Sequence, residues 1–317
     1  MRAATEGSAS VPLRVHGRVF GSLSVAFDGP HTWRAADREL LEAFAALTSQ
    51  ALERISAREA ERAATRASQR LSEALQRSLL TDPPQPNDLH IAVRYQPAAQ
   101  EAQVGGDWYD AFLIADGRTT LVIGDVAGHD RTATAGMAQV RNVLRGVAQT
   151  LVEPPAAVLS ALDRAMRELR VSTLTTAVLC QVGQGPAHAG PATRVLRWSN
   201  AGHPPPLLLH HDGTAELLWR PADLLLGVDA DTPRHNHEVV LTPGATVVLY
   251  TDGLVERRGE PLDDGLARLQ AVAAGLSHLT TEQLCDVLLE RLAQDAEDDV
   301  ALLVLRPQSD HGPYSAP

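Results

Sequence analysis

Four short acidic motifs constrain the fold of this chain more strongly than any other feature of its sequence. They are Gly105-Gly106-Asp107, Gly124-Asp125-Val126, Thr251-Asp252-Gly253 and Asp298-Asp299. Each motif lies at the edge of a β-branched or apolar run, and such runs predict strands. The fold must therefore place an aspartate at the end of each of four predicted strands.

The first two motifs flank a predicted hairpin. Its strands are residues 108–114 and 119–123, and the Ala-Asp-Gly-Arg sequence between them is typical of a turn. When the hairpin folds about this turn, Asp107 comes to lie beside Asp125 and Val126 at the open end. Local geometry alone thus predicts a pair of neighbouring carboxylates.

The last two motifs predict a second pair. Asp252 ends the predicted strand 245–251, and Asp298 precedes the predicted strand 300–305. If these strands are antiparallel neighbours, the two acids meet at one sheet edge. The alternative is that each aspartate is a turn residue or a helix cap, because Asp-Gly and Gly-Asp pairs are common in turns. Four such motifs, each at a strand end, favour a shared site.

A cluster of carboxylates has an evident chemical use. Clustered carboxylates repel one another unless a cation neutralises them, and oxygen ligands suit hard divalent ions such as Mg²⁺ or Mn²⁺. Two such ions about 3.5–4 Å apart can hold and acidify a bridging water, which is then the nucleophile. A site of this kind needs no catalytic serine, cysteine or histidine.

The ordered motifs resemble those of the SpoIIE/RsbU-type branch of the PP2C (PPM) phosphatases. The resemblance covers about residues 89–307. It rests on segments that match the family's motifs in the family's order: Val104-Gly-Gly-Asp-Trp-Tyr-Asp110, Gly124-Asp-Val-Ala-Gly-His-Asp130, Asn200-Ala-Gly-His-Pro204, Leu249-Tyr-Thr-Asp-Gly-Leu254 and Glu297-Asp-Asp-Val300.

This resemblance implies a metal-dependent protein serine/threonine phosphatase. The implied fold is α+β, an α/β/β/α four-layer sandwich, and the implied cofactors are two ions of Mn²⁺ or Mg²⁺, with room for a third. The implied ligands are the acids at the family's metal-binding positions and one backbone carbonyl: Asp107, Asp125, Asp252, Asp298 and Val126. The implied catalytic pair is Asp107 and Asp125, which bridge the ions. The implied substrate is a phosphorylated STAS-type anti-anti-sigma factor, which links the chain to sigma-factor regulation.

The first part of the chain resembles the C-terminal end of a GAF sensor domain. Residues 10–28 alternate as β structure, and a long helix is predicted over residues 33–80. Apolar residues at helical spacing on one helix face are Leu40, Phe44, Leu47, Ala51 and Ile55. A whole GAF domain has more strands and an earlier helix. We therefore expect residues 1–55 to be a truncated GAF-like fragment.

A helical linker is predicted over residues 56–88, before the phosphatase domain at 89–307 and a disordered tail at 308–317. The linker carries an apolar stripe with i, i+4 spacing, formed by Leu71, Leu75 and Leu79. This stripe fits a parallel coiled-coil homodimer, and it equally fits packing against the chain's own phosphatase domain. The apolar repeat is too short to decide between these two arrangements.

Composition disfavours two classes of partner. The formal net charge is −11 and all 28 basic residues are scattered arginines, which disfavours nucleic acid and anionic membranes. The sequence has no run of eighteen apolar residues and no secretory signal, so we expect a cytoplasmic protein. Its two cysteines, Cys180 and Cys285, lie in apolar runs and are expected to be buried thiols.

Four further polar residues leave alternatives open. His129 fits either a donor to substrate phosphate or a helix cap, and His203 fits either a catalytic acid or a turn residue. Asp110 alternates with Asp107, so a structural hydrogen-bonding role is favoured for Asp110. Asp299 alternates with Asp298 in the same way, and the family pattern selects Asp298 as the ligand. The rival functions are a pseudophosphatase that binds phosphoproteins without turnover and a metal-dependent nuclease or phosphodiesterase.

Overall fold

The computed structural model describes residues 7–15, 17–79, 82–86, 88–97, 106–128, 131–185, 193–294 and 296–308, without the side chains of residues 66–79 and 131–132. The predictions made for Gly105, His129, Asp130 and the tail at 309–317 lie outside the described residues, as do the side chains of the Leu71, Leu75 and Leu79 stripe. The chain divides into two compact units, residues 1–70 and 71–317. Each unit is described by itself.

The first unit is a hairpin packed on a helix. Strands β1 (Ser8–Val15) and β2 (Arg18–Ala26) are antiparallel, and helix α1 (Ala35–Leu79) follows. Val11 of the hairpin packs with Ala45 of the helix. The strands and the long helix predicted for this region are therefore confirmed.

The apolar stripe predicted on α1 does not face the hairpin. Leu40, Phe44 and Leu47 are 70%, 59% and 65% exposed. The helix packs instead through Leu41 and Ala45, which lie on a neighbouring face. Helix α1 thus carries two apolar faces, and only one of them is covered within this unit.

The second unit contains two five-stranded sheets. In chain order its strands are β3 (Leu89–Gln96), β4 (Trp108–Leu113), β5 (Thr119–Val126), β6 (Thr175–Gln184), β7 (Arg194–Ala201), β8 (Leu207–Leu209), β9 (Ala215–Leu217), β10 (His237–Leu241), β11 (Thr246–Tyr250) and β12 (Val300–Pro307). The first sheet has the order β10-β7-β6-β5-β4, and the second has the order β3-β12-β11-β8-β9. Neighbouring strands in both sheets are antiparallel.

Two pairs of helices cover the outer faces of the sheets. Helices α2 (Arg131–Thr150) and α3 (Pro155–Glu168) pack on the first sheet, while α4 (Leu262–Ala273) and α5 (Thr281–Leu292) pack on the second. The predicted α/β/β/α four-layer sandwich is confirmed. Among the described residues, no helix has both the length and the apolar character required to cross a membrane.

Strand alternation explains the layers. In β5, Leu121 and Ile123 lie in the core between the sheets, whereas Val122 faces α2 and α3. In β11, Leu249 lies in that central core and Val248 faces α4 and α5. Because successive side chains of a strand point to opposite faces, this alternation also decides which acids can face one another between the sheets.

Two strands escaped sequence-based prediction. Strand β9 has three residues and β10 has five, and each lies at the edge of its sheet. Half of the side-chain positions of an edge strand face solvent, so neither sequence forms an apolar run. Their pairing is supplied by β8 and β7, not by a local signal.

Candidate metal centre

The first hairpin brings two acids to the space between the sheets. Trp108 of β4 pairs with Gly124 of β5, so the open end of the hairpin carries both Asp107 and Asp125. Tyr109 and Ile123 lie in the central core. Because Asp107 and Asp125 are each two residues away from these core residues, both acids face inward, as the sequence predicts.

The second sheet contributes a third acid. Strands β11 and β12 are antiparallel neighbours, as expected, and Asp252 begins a short 3₁₀ turn, Asp252–Leu254, shortly after β11 ends. One carboxylate oxygen from each of Asp107, Asp125 and Asp252 lies within 4.8 Å of the other two. The predicted pair Asp107 and Asp125 therefore meets Asp252, one member of the second predicted pair, across the two sheets.

Two glycines make this close approach possible. A Cβ atom on Gly106 would lie 2.0 Å from the carbonyl oxygen of Val126, and a Cβ atom on Gly253 would lie 2.2 Å from the carbonyl oxygen of Asp299. Neither gap admits a side chain, and the contacted atoms are backbone that cannot swing away. The glycines in the first and third motifs are thus steric requirements of the acidic cluster.

Burial and mutual repulsion disfavour the charged forms of these acids. Desolvation, then the charges of Asp125 and Asp252, raises the pKa of Asp107 well above its usual range, and a hydrogen bond with Thr251 partly opposes this. Desolvation first, and the neighbouring acids second, raise the pKa of Asp125 to about 7 and that of Asp252 to about 6. Without a cation, the cluster is therefore costly to keep ionised.

The residues of the cluster fit a hard divalent cation. Asp107 is 2% exposed, and its Oδ2 atom is buried without a hydrogen-bond partner in the part of the chain that the structure describes. A buried carboxylate oxygen of this kind normally has a partner, and a cation supplies one. Three converging carboxylates are also the oxygen donor set that Mg²⁺ and Mn²⁺ prefer.

The other two predicted ligands lie beside this cluster. Asp298 is exposed and its charge raises the pKa of Asp252, but its oxygens are not within the compact group of three. Val126 is buried, and its carbonyl oxygen adjoins Gly106. Asp299 is 1% exposed and accepts a hydrogen bond from the Tyr95 hydroxyl.

Asp110 faces away from the cluster, as strand alternation predicts. Its side chain is fully buried and forms ion pairs with two arginines of α2, at 3.1 Å to Arg141 and 3.5 Å to Arg145. The carboxylate therefore ties β4 to α2. Two aspartates only three residues apart thus have unrelated structural settings.

An arginine at the cleft rim was missed from the sequence. Asp252, Glu256, Asp298 and Glu297 line a cleft of about 330 Å³ together with Arg258. The Arg258 side chain is 87% exposed, and its Nε atom lies 3.4 Å from Oε2 of Glu297. Arg258 follows Asp252 by only six residues, in the loop after the 3₁₀ turn, and this short spacing could have indicated that it lies near the acids.

The cysteines take no part in this centre. Cys180 and Cys285 are both free and buried. Desolvation raises the pKa of Cys180 far above that of an ordinary thiol and raises the pKa of Cys285 to about 12. Neither side chain can therefore present a reactive thiolate at neutral pH.

Comparison with known families identifies two regions. Residues 115–308 match the family described as stage II sporulation protein E (SpoIIE), and residues 2–52 match the GAF domain. A curated relative, the phosphoserine phosphatase RsbP of Bacillus subtilis (strain 168), is 26% identical over 188 residues. That alignment covers 57% of this chain and 43% of the relative.

Solved structures share the fold of the second unit. The RsbU and RsbW domains of a Mycobacterium tuberculosis protein are 32% identical, with a TM-score of 0.60 over 71% of this chain and 61% of that one. The SiaA-PP2C domain of Pseudomonas aeruginosa is 22% identical, with a TM-score of 0.62 over 78% of this chain and 98% of that one. The chain thus spans less than two thirds of the RsbP and mycobacterial relatives.

Proposed function

The chain belongs to the SpoIIE family of PP2C-type phosphatases, and from this premise we propose that it hydrolyses phosphoserine or phosphothreonine on a regulatory protein. The observation that carries the proposal is the convergence of Asp107, Asp125 and Asp252, with oxygens within 4.8 Å of one another across the two sheets. The curated relative, a phosphoserine phosphatase, supports the same reaction class.

Each residue of the proposed site has a separate role in binding the metal ions. Asp107 and Asp125 would hold the cations jointly, Asp252 and Asp298 would complete the charge, and the Val126 carbonyl would add a neutral oxygen. Two bound divalent ions would supply an activated water and neutralise charge on the phosphoryl group. The close backbone approach at Gly106 and Gly253 and the buried strand ends hold the acids in place before any ligand binds. Such preorganisation favours catalysis.

The proposed substrate is a phosphorylated STAS-domain protein that acts as an anti-anti-sigma factor. Support comes from the mycobacterial relative, in which an RsbU domain and an RsbW domain occur in one chain. An exposed, acidic cleft with Arg258 at its rim is open enough for a phosphorylated side chain presented by a folded protein. We propose a cytoplasmic location, because both cysteines are free thiols.

A substrate panel tests this proposal. Aryl phosphate, a phosphoserine protein of the STAS class and duplex DNA would each be incubated with and without Mn²⁺. We expect Mn²⁺-dependent release of phosphate from the first two and no cleavage of DNA. Binding of the phosphoprotein without release of phosphate would identify a pseudophosphatase, and cleavage of DNA would identify a nuclease. Either result would overturn the proposed reaction.

We further propose that residues 1–55 and 56–88 act as a sensor fragment and a helical linker that pair two copies of the chain. The exposed residues Leu40, Phe44, Leu47 and Ala51 on α1 are separated by four, three and four residues. This is the spacing of a coiled-coil seam. It supports dimerisation through the helix that also carries the Leu71, Leu75 and Leu79 stripe.

Sedimentation velocity tests the dimer. The parent protein is expected to sediment as a dimer and Leu47→Glu as a monomer, because the substitution places a charge in the seam. Since Leu47 is 65% exposed in the protomer, the substitution leaves the hairpin contacts of Ala45 intact. The matched control is Ala46→Glu, which adds the same charge to an exposed position outside the seam. Identical sedimentation of Leu47→Glu and the parent would contradict the proposed seam.

A further inference from the structure

The Asn-Ala-Gly-His-Pro motif forms a rigid turn between β7 and β8. The Asn200 side chain closes this turn with two hydrogen bonds to the backbone of His203: its Oδ1 accepts from the histidine N–H at 2.7 Å, and its Nδ2 donates to the carbonyl oxygen at 2.7 Å. Between them, Gly202 adopts a φ of +69°, which favours glycine. The backbone of His203 is therefore held at a fixed position.

The imidazole of His203 links the two sheets. Its Nε2 lies 3.0 Å from the carbonyl oxygen of Tyr250 in β11, and its Nδ1 lies 2.9 Å from the hydroxyl of Thr176 in β6. A carbonyl oxygen can only accept, so Nε2–H is the donor. In the neutral ring Nδ1 then accepts from the threonine hydroxyl. Both ring nitrogens are thus occupied by partners in opposite sheets.

These partners are immediate neighbours of the acidic cluster. Thr176 is the cross-strand partner of Asp125. Tyr250 ends β11 two residues before Asp252, and the intervening Thr251 accepts a hydrogen bond from the backbone N–H of Ala301. The imidazole therefore spans the gap between the strand beside one acid and the strand that leads to another.

The ring is suited to a structural link and unsuited to proton transfer. His203 is 4% exposed, and its burial lowers the pKa of the imidazole to about 4. At neutral pH the ring is uncharged, so it adds no repulsion or attraction to the cations. With both nitrogens engaged, it has no free donor for a leaving group.

We propose that His203 is a positioning residue that sets the separation between Asp125 and Asp252, and thereby the affinity of the centre for divalent cations. The inference rests on the proposed function, because it assumes that the three acids bind metal. It assigns the motif at residues 200–204 a role in holding the two sheets in register at the site. It also accounts for the uncharged ring and for the two-point clamp by Asn200.

A conservative substitution of Thr176 removes the hydrogen bond between its hydroxyl and Nδ1 of His203. Thr176→Val removes the hydroxyl that serves Nδ1 but keeps the side-chain shape, whereas Thr176→Ser keeps the hydroxyl. His203→Asn breaks the contact with Tyr250, because the asparagine side chain is too short to reach the Tyr250 carbonyl oxygen. The matched control is Thr246→Val at the far end of β11, which removes a buried hydroxyl that accepts a hydrogen bond from Arg306 at 2.7 Å.

The experiment measures Mn²⁺ binding by calorimetry, thermal stability in EDTA, and kcat and KM for an aryl phosphate at saturating Mn²⁺. We expect Thr176→Val and His203→Asn to bind Mn²⁺ about tenfold more weakly, in the range seen when outer contacts of a metal site are removed. Thr176→Ser and Thr246→Val should match the parent in affinity, and saturating Mn²⁺ should restore kcat in all four variants. Nitrogen-15 shifts of the parent should show the neutral Nε2–H ring at pH 5.

Three results would overturn the inference. Equal Mn²⁺ affinity in Thr176→Val and Thr246→Val would show that the contact between Thr176 and His203 does not influence metal binding. A kcat that stays low in His203→Asn at saturating Mn²⁺, with unchanged affinity, would place the ring in the chemistry. If the parent itself binds no Mn²⁺, this inference and the proposed function both fail, whereas Mn²⁺ binding by the parent with no loss in the variants rejects this inference alone.

Discussion

Asp125→Asn is expected to lower phosphatase activity by about a thousandfold or more, because it removes one of the charges that would hold the cations and position the activated water. The substitution is isosteric and the side chain belongs to no hydrophobic core. Turnover of an aryl phosphate at saturating Mn²⁺ measures the loss. Retention of Mn²⁺-dependent turnover near the parent level would rule out the proposed role of Asp125.

The same substitution should stabilise the metal-free protein. Burial and the charge of Asp252 raise the pKa of Asp125 to about 7, so at pH 8 its charged form costs the folded state free energy that the unfolded chain does not bear. The substituted asparagine side chain bears no charge, and we expect the free energy of unfolding in EDTA to rise by roughly 1 to 3 kcal/mol. Denaturant titration at pH 8 measures this change.

Asp110→Asn is the matched control. It lies on the same hairpin and is fully buried, but it pairs with Arg141 and Arg145 on the opposite face of the sheet. Its replacement leaves Arg141 buried with a weakened partner, so we expect a loss of about 3 kcal/mol of stability and near-parental turnover well below the melting temperature. A matching loss of stability in Asp125→Asn would indicate that Asp125 is also structural.

Removal of divalent metal is expected to have an equally large effect. Dialysis against EDTA should reduce turnover to background, and Mn²⁺ should restore it, because the buried thiols of Cys180 and Cys285 cannot replace a metal-activated water as the nucleophile. Mn²⁺ at about 100 times its dissociation constant should also stabilise the folded protein by about 2.7 kcal/mol, since it binds the folded state alone.

The thermal shift separates this effect from a general action of salt. The parent should gain stability with Mn²⁺, and Asp125→Asn should gain little or none at the same concentration. Undiminished turnover after exhaustive dialysis against EDTA would contradict a metal-dependent mechanism. A Mn²⁺-dependent shift of equal size in both proteins would place the bound ions elsewhere.

The local part of the site could be predicted from the sequence. A turn signal and two β-branched runs were enough to pair Asp107 with Asp125, and alternation was enough to turn Asp110 away from them. The contact of Asp252 with this pair is different in kind, because it joins strands of two sheets that are far apart in sequence. The four motifs at strand ends favoured a shared site, and the resemblance to a known family named its ligands, but no local pattern specified how the two sheets bring these acids together.

Other features depended on tertiary contacts that no local pattern contains. The turn at His203 was visible, but its ring partners, Thr176 and Tyr250, come from two different sheets. Helical spacing identified the stripe at Leu40 and Leu47 but could not show which of two apolar faces covers the hairpin. The edge strands β9 and β10 were missed because their pairing partners, not their own residues, define them.

Anomalous diffraction of manganese in crystals grown with Mn²⁺ tests the metal centre most directly. We expect at least two peaks at the acidic cluster, each within about 2.0–2.3 Å of carboxylate oxygens, with Asp107 and Asp125 shared between them and Asp252 in contact with one. Manganese bound only at surface acids outside this cluster, in protein that is active under the same conditions, would show that these three acids do not form the catalytic metal centre.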